Sequence, residues 1–179
     1  SNLDSSFQRQ GGFFSAMFRK MFGGENFFLG KYEHPDGGKL TFAPSIPGHV
    51  EHRQLTNNSL KIMAGGFLAC TPGVNIKANF GGWKAFFSGE GAFLLEASGN
   101  GDLFFNSFGG VVEKQINGEF IVDTGHVVAF DPSLDYKITG MGSFKSTMLS
   151  GEGLVMRFSG NGKLYLQTRN VSSVASWLI

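Results

Sequence analysis

The chain has 179 residues, enough for one domain with a core of its own, and nothing in it reads as a boundary between two. Charged residues make up 16% of it, against roughly 25% in ordinary soluble proteins, while 20 Phe bring the aromatics to 14%. A net charge of +1 supplies no overall field to draw the chain to nucleic acid or an anionic membrane, and so few charges point to surface covered in an oligomer.

Residues 1–10, SNLDSSFQRQ, hold two apolar side chains without alternation, and no strand is predicted there. In GGFFSAMFRKMF, residues 11–22, Phe14, Met17, Phe18 and Met21 fall at i, i+3, i+4 and i+7, which predicts a short helix with Arg19 and Lys20 off its apolar face. Such a helix could lie in a lipid interface. The bland reading, a plug at one end of a β core, is preferred, because 81–87 and 142–148 repeat its aromatic-lysine pairs, Trp83-Lys84 and Phe144-Lys145. Next, Gly24 to Leu29, the polar tip Pro35-Asp36-Gly37-Gly38 and Lys39 to Phe42 read as a hairpin with a long loop.

The organising feature comes later. Ser88 to Ser107, SGEGAFLLEASGNGDLFFNS, returns at Ser150 to Thr168 as SGEGLVMRFSGNGKLYLQT. Asn100-Gly101 and Asn161-Gly162 sit between apolar runs and predict type I′ hairpin turns, since Asn-Gly accepts the positive φ angles those turns need. Glu90 and Glu152 are 62 positions apart but Asn100 and Asn161 are 61, which predicts a bulge. Upstream, Leu60 to Pro72 matches Phe120 to Pro132, with Gly65 on Gly125, Ala69 on Ala129 and Pro72 on Pro132. Ahead of that, Glu51 to Leu55 lines up with Val112 to Ile116, followed by the turn pairs Asn57-Asn58 and Asn117-Gly118. Solid runs such as Val127 to Phe130 predict burial on both faces.

Together these define an all-β fold of the double-stranded β-helix or β-sandwich-like kind: one domain over 1–179, with tandem units at about 11–47, 48–107 and 108–169 and an apolar tail at 170–179. The first unit shows only its second half. The natural protein is therefore expected to carry a further N-terminal stretch on the order of 30–40 residues. The tail, ending Trp177-Leu178-Ile179, should dock on the body or on a neighbouring subunit.

Chemistry-bearing residues are sparse. The lone Cys70 excludes an internal disulfide and, matched to Phe130, reads as a small buried apolar residue. Of His34, His49, His52 and His126, only the first strand entry, His49-Val50-Glu51-His52, gathers ligand-type side chains for zinc or iron; on a strand His49 and Glu51 share a face and His52 takes the other. Glu25, Glu90 and Glu152 recur beside glycines, where a carboxylate caps a turn. Asp123 and His126 lack a nucleophile elbow, and the glycine pairs form no phosphate loop. The triplets at Asn57 and Asn170 match a glycosylation signal that means nothing without secretion; no secretory signal and no run of roughly 18 apolar residues is present.

Gly89-Glu90-Gly91, the run from Val122 to Phe130, Ser150 to Leu154, and Leu164 to Arg169 together resemble the family named for altered inheritance of mitochondria, whose bacterial members are mostly uncharacterised. The likeness runs from about Gly11 to the C-terminus and departs at the start, where the opening strands are missing. It implies three tandem repeats similar to the subunit of the tryptophan RNA-binding attenuation protein. The family's yeast member is linked to mitochondrial inner-membrane organisation, which implies a scaffold role; no catalytic residue is established for the family, so none is carried over.

The expectation is thus a non-enzymatic scaffold or assembly protein, homo-oligomeric, with an unknown protein partner and peripheral membrane contact, and with no catalytic, metal or cofactor residues assigned. It would be cytoplasmic if bacterial and mitochondrial if eukaryotic. A nucleic-acid binder is the alternative, requiring Arg19, Lys20, Lys31, Lys39, Lys61 and Lys84 on one face. A cupin-like metal protein is the third reading, requiring His49, Glu51 and His52 in one cavity with a further ligand.

Overall fold

The computed structural model describes residues 4–8, 29–33, 36, 38–79, 94–140, 154–170 and 173–174. They form the strands β1 (Asp4–Gln8), β2 (Leu29–Glu33), β3 (Val50–Met63), β4 (Phe67–Cys70), β5 (Val74–Asn79), β6 (Leu94–Asn106), β7 (Val111–Asp123), β8 (Val127–Phe130), β9 (Leu134–Gly140) and β10 (Leu154–Gln167). Single 3-10 turns, Ala64–Gly66 and Thr124–His126, join β3 to β4 and β7 to β8. The fold is all-β.

Eight of these strands make one antiparallel sheet in the order β4-β6-β3-β8-β10-β7, with β5 also on β6 and β9 also on β10. The long strand β6 pairs with β3 along its whole length, while its other edge takes β5 along the first half and β4 along the second. β10 is used in the same way by β7, β9 and β8. The seam between the two sets is short: Lys61 pairs with Phe130 and Ile62 with Ala129. All four residues of β8 are buried there, as its unbroken apolar run predicts. Two core clusters result, one around Leu60, Ile62, Leu103 and Phe105 and the other around Phe130, Leu134, Met156 and Phe158.

The glycine-rich pairs are corners, not hairpin ends. Asn100-Gly101 and Asn161-Gly162 lie in mid-strand within β6 and β10, and Asn57-Asn58 and Asn117-Gly118 lie in mid-strand within β3 and β7. Thr56 faces Asn100, and Asn117 faces Asn161, so each pair of strands changes direction together. Positive φ at Asn57 (55°), Gly99 (127°) and Gly118 (102°) makes the bend. Its sharpness is measured by Lys114, whose Nζ lies 4.8 Å from the centre of the Phe120 ring; in a straight strand their Cα atoms would be roughly 20 Å apart at about 3.3 Å per residue. Asn-Gly supplies the backbone freedom that a hairpin turn and a strand corner both need, which is why the sequence predicted the wrong one of the two.

The turn from β4 to β5 closes over the first corner. Thr71 N donates to Asp102 O and Asn100 N to Gly73 O, and a Cβ on Gly73 would sit 1.9 Å from the Asn100 carbonyl oxygen. The register shift in β3 between Thr56 and Asn58 is a bulge. It makes β3 14 residues long against 13 in β7, and so explains why the spacing between matched positions falls from 61 at Leu55 and Ile116 to 60 at Gly65 and Gly125. The slip predicted at Glu90 and Glu152 lies outside the described residues.

Two expectations for the N-terminal part are overturned. Asp4–Gln8 does form a strand, antiparallel to Leu29–Glu33, because backbone pairing in a two-stranded sheet requires no apolar alternation. The hairpin between Leu29 and Phe42 is not formed: β2 takes β1 as its partner, and Lys39 to Phe42 carries no strand. The predicted helix at 11–22, the connectors at 81–87 and 142–148, Glu25, Glu90, Glu152 and His34 lie outside the described residues, as does the tail beyond Val174.

Candidate functional site

A cleft of about 270 Å³ opens between the two 3-10 turns, with Gly65 and Gly66 on one side and Thr124 and Gly125 on the other. Val127, Val128 and Met63 give it an apolar floor, and Asn106, Gln167 and Asn170 bring carboxamides to it. Among the described residues no Asp, Glu, His, Cys, Lys or Arg lines it. This described lining can recognise an uncharged polar group and includes no acid or base to move a proton.

On the β7–β8 side the polar groups satisfy one another. Asp123 Oδ1 accepts from Gly125 N at 2.7 Å, capping the turn, and Thr124 Oγ1 donates to Leu154 O. The His126 ring contacts the Gln167 carbonyl oxygen through Nδ1 at 2.8 Å; a carbonyl only accepts, so Nδ1 carries the proton. The Gln167 carboxamide donates to Gly125 O at 2.7 Å and accepts from Phe108 N at 2.9 Å. Asn170 covers Gly125 so closely that a Cβ there would lie 2.2 Å from its Nδ2.

Asp123 and His126 are thus structural groups. Neither Asn106 nor Gln167 was singled out from the sequence; the signal was there in the repeat, which sets Asn106 on Gln167 at a spacing of 61 and Gly66 on His126 at 60.

His49, Glu51 and His52 do not converge. His49 Nε2 lies 3.3 Å from Glu51 Oε2 on one side, while His52 stacks on Phe104 at 4.9 Å and reaches Asp102 Oδ1 at 2.8 Å on the other. Among the described residues no group of three His, Cys, Asp or Glu is placed to hold a metal ion. Of the six cations proposed for nucleic acid, Arg19, Lys20 and Lys84 lie outside the described residues, and Lys61 is laid over the rings of Phe130 and Tyr136, 5.7 and 5.6 Å from their centres. Cys70 is half-buried with its thiol 3.9 Å from Val74 O, and burial pushes its pKa up.

The charged groups concentrate beside the seam. Arg53 of β3 reaches Asp131, in the β8–β9 turn, at 3.0 Å, and donates to the Tyr165 hydroxyl at 3.1 Å. Lys163 Nζ lies 2.7 Å from Glu113 Oε1. That hydrogen bond holds the Glu113 carboxyl below its ordinary range and the Lys163 ammonium above its own, while burial raises the Tyr165 phenol.

The fold and cleft define a class: an all-β protein of paired, corner-bent strands whose cleft, among the described residues, is lined by amides and apolar groups. The family follows from the match of residues 2–169 to Mitochondrial biogenesis AIM24, and the chain belongs to that family. An uncharacterized protein of Streptococcus pyogenes serotype M6 is 33% identical over 168 residues, covering 91% of this chain and 67% of the relative. The crystal structure of a Streptococcus pyogenes protein superposes with a TM-score of 0.71 at 26% identity, over 97% of this chain and 81% of the other.

Proposed function

We propose that the chain acts by association and not by catalysis, as a scaffold or assembly protein that joins a second copy of itself through β7. The observation that carries this reading is the exposure of β7. Among the described residues it is paired on one side only, by β10, and it presents Val112 and Ile121 about half exposed. A long strand with an open edge and apolar side chains is a template for another strand. The low charged fraction, 16%, and a cleft without acid or base among the described residues support the same reading. In it, the mitochondrial biogenesis of the family's name is served by holding proteins together, in the mitochondrion for a eukaryotic member and in the cytoplasm for a bacterial one.

The test is light scattering on the protein as it leaves a size-exclusion column. A defined oligomer is expected, and Ile121→Lys should shift it toward the monomer without changing the far-ultraviolet circular dichroism. A wild-type protein that stays monomeric at micromolar concentration overturns the reading.

A further inference from the structure

The two 3-10 turns are matched in the sequence but packed differently, and at Gly66 the side chains of Ile62 and Val128 come to 3.3 Å of where a Cβ would stand. Around Thr124–His126 the His126 ring, the Gln167 carboxamide and Asn170 occupy the space and satisfy one another. Around Ala64–Gly66 the ring is missing, because Gly66 stands in the place of His126, and the carboxamide is one methylene shorter, because Asn106 stands in the place of Gln167. A Cβ built on Gly66 would point between Ile62 and Val128, 3.5 Å from the Asn106 carbonyl oxygen, the counterpart of the oxygen that His126 contacts. Among the described residues nothing lies within 4 Å of a Cβ built on Gly65, where Asn170 closes the other copy.

Asn106 shows that the gap is not a mere void. It is only 6% exposed, makes no side-chain hydrogen bond among the described residues, and its amide atoms are not sealed in but open on the cleft. A carboxamide so deeply buried is normally paired, and leaving it unpaired is unfavourable.

We propose that this cleft binds a small, neutral, planar nitrogen heterocycle of the imidazole type, which supplies what the missing histidine supplies in the other copy. One ring N–H donates to the carbonyl oxygen of residue 106, and the second nitrogen accepts from the Asn106 amide. The ring packs on the Val128 and Met63 side chains that line the cleft. A neutral ligand is favoured over a charged one because no counter-charge lines the cleft among the described residues. A nucleotide is excluded by size, since 270 Å³ is below the roughly 300–1,000 Å³ of ordinary ligand pockets. The ring comes either as a free heterocycle or as a histidine side chain of another protein. The proposal is independent of the association reading, because a monomer can bind the ring.

The experiment is a titration of the full chain with imidazole at a pH where the ring is neutral, followed by amide NMR. Saturable shifts confined to Gly66, the Asn106 side-chain amide and Val128 are expected, with a millimolar Kd for so few atoms. Asn106→Ala should weaken binding roughly tenfold by removing the donor. Gly65→Leu, which grows into open space from an unstrained backbone, should abolish it while leaving the remaining spectrum unchanged. N-acetyl-histidine amide distinguishes the sources: tighter binding than imidazole identifies a histidine side chain, and failure to bind where imidazole succeeds identifies a free heterocycle. No saturable shift, or the same affinity in wild type and both variants, overturns the proposal.

Discussion

Removing the Arg53 guanidinium breaks contacts that tie the two sets of strands together, to Asp131 and to the Tyr165 hydroxyl. Its Nη1 lies 3.0 Å from Asp131 Oδ1, and the two side chains are only 21% and 19% exposed. Asp131 Oδ2 is committed to Lys163 N at 2.8 Å, whereas Oδ1 is buried without a hydrogen-bond partner among the described residues, so Arg53→Met takes away the counter-charge that this oxygen faces. Breaking a fully buried pair costs about 3–5 kcal/mol, and the fifth of each side chain left in solvent reduces this to roughly 2–3 kcal/mol. With a urea slope of about 2 kcal/mol/M, the unfolding midpoint should fall by about 1–1.5 M. The other corner supplies a control. There Thr71 Oγ1 accepts from Asp102 N at 2.8 Å, doing with a hydroxyl what Asp131 does with a carboxylate. Adding Asp131→Thr to Arg53→Met should therefore restore most of the loss, leaving less than about 1 kcal/mol. A single variant whose midpoint moves by less than about 0.3 M, or a double variant as unstable as the single, refutes the reasoning.

Gly73→Ala puts a Cβ 1.9 Å from a backbone oxygen that cannot turn aside; a loss of roughly 3 kcal/mol and a thermal midpoint about 10 °C lower are expected. Gly65→Ala meets nothing within 4 Å among the described residues and should stay within about 0.5 kcal/mol of wild type; the reverse order would mean the corner is misplaced. Because Lys163 depresses the Glu113 pKa, that pair's stabilisation is present above the ordinary carboxylate value of 4.5 and lost as pH falls below it. Urea midpoints from pH 6 to 3 should thus fall less steeply in Glu113→Gln, and the difference should shrink in salt, since both side chains are nearly half exposed. On the alkaline side Lys163 and Tyr165 both hold their protons more tightly when folded, so stability should decline as pH rises above about 10. With its thiol pKa raised by burial, Cys70 should react with an aromatic disulfide at pH 8 about tenfold more slowly in the native protein than in urea.

What the sequence revealed of this fold, and what it hid, follows from which interactions repeat. The matched runs from Leu60 to Pro72 and from Phe120 to Pro132 were legible because each must bury the same face against the same neighbours. The corners were misread because Asn100-Gly101 reports a backbone capable of positive φ and says nothing of which strand lies opposite; that is settled by Thr56 and Asn58, more than forty residues away. The opposite faces of His49 and His52 were legible from alternation alone. The cleft was illegible to any search for reactive side chains, because it is made by their removal.

The differences between the two copies separate folding from function. His52 bonded to Asp102 in one copy becomes Glu113 bonded to Lys163 in the other, at 2.8 and 2.7 Å, with the carboxylate moved from one strand to its partner. The fold needs a cross-strand bridge there, and a carboxylate on either strand supplies it. Gly66 and Asn106 have no such compensation. Where His126 and Gln167 close their own network, the first copy gives up the ring, shortens the amide and leaves Gly65 uncovered, three changes in one place and in one direction. At Gly66 the neighbours do close in, with Ile62 Cγ2 and Val128 Cγ1 each 3.3 Å from where a Cβ would stand, as close packing favours. The Asn106 carboxamide, 6% exposed, has no such answer among the described residues, and it is this group that the proposed ligand would pair.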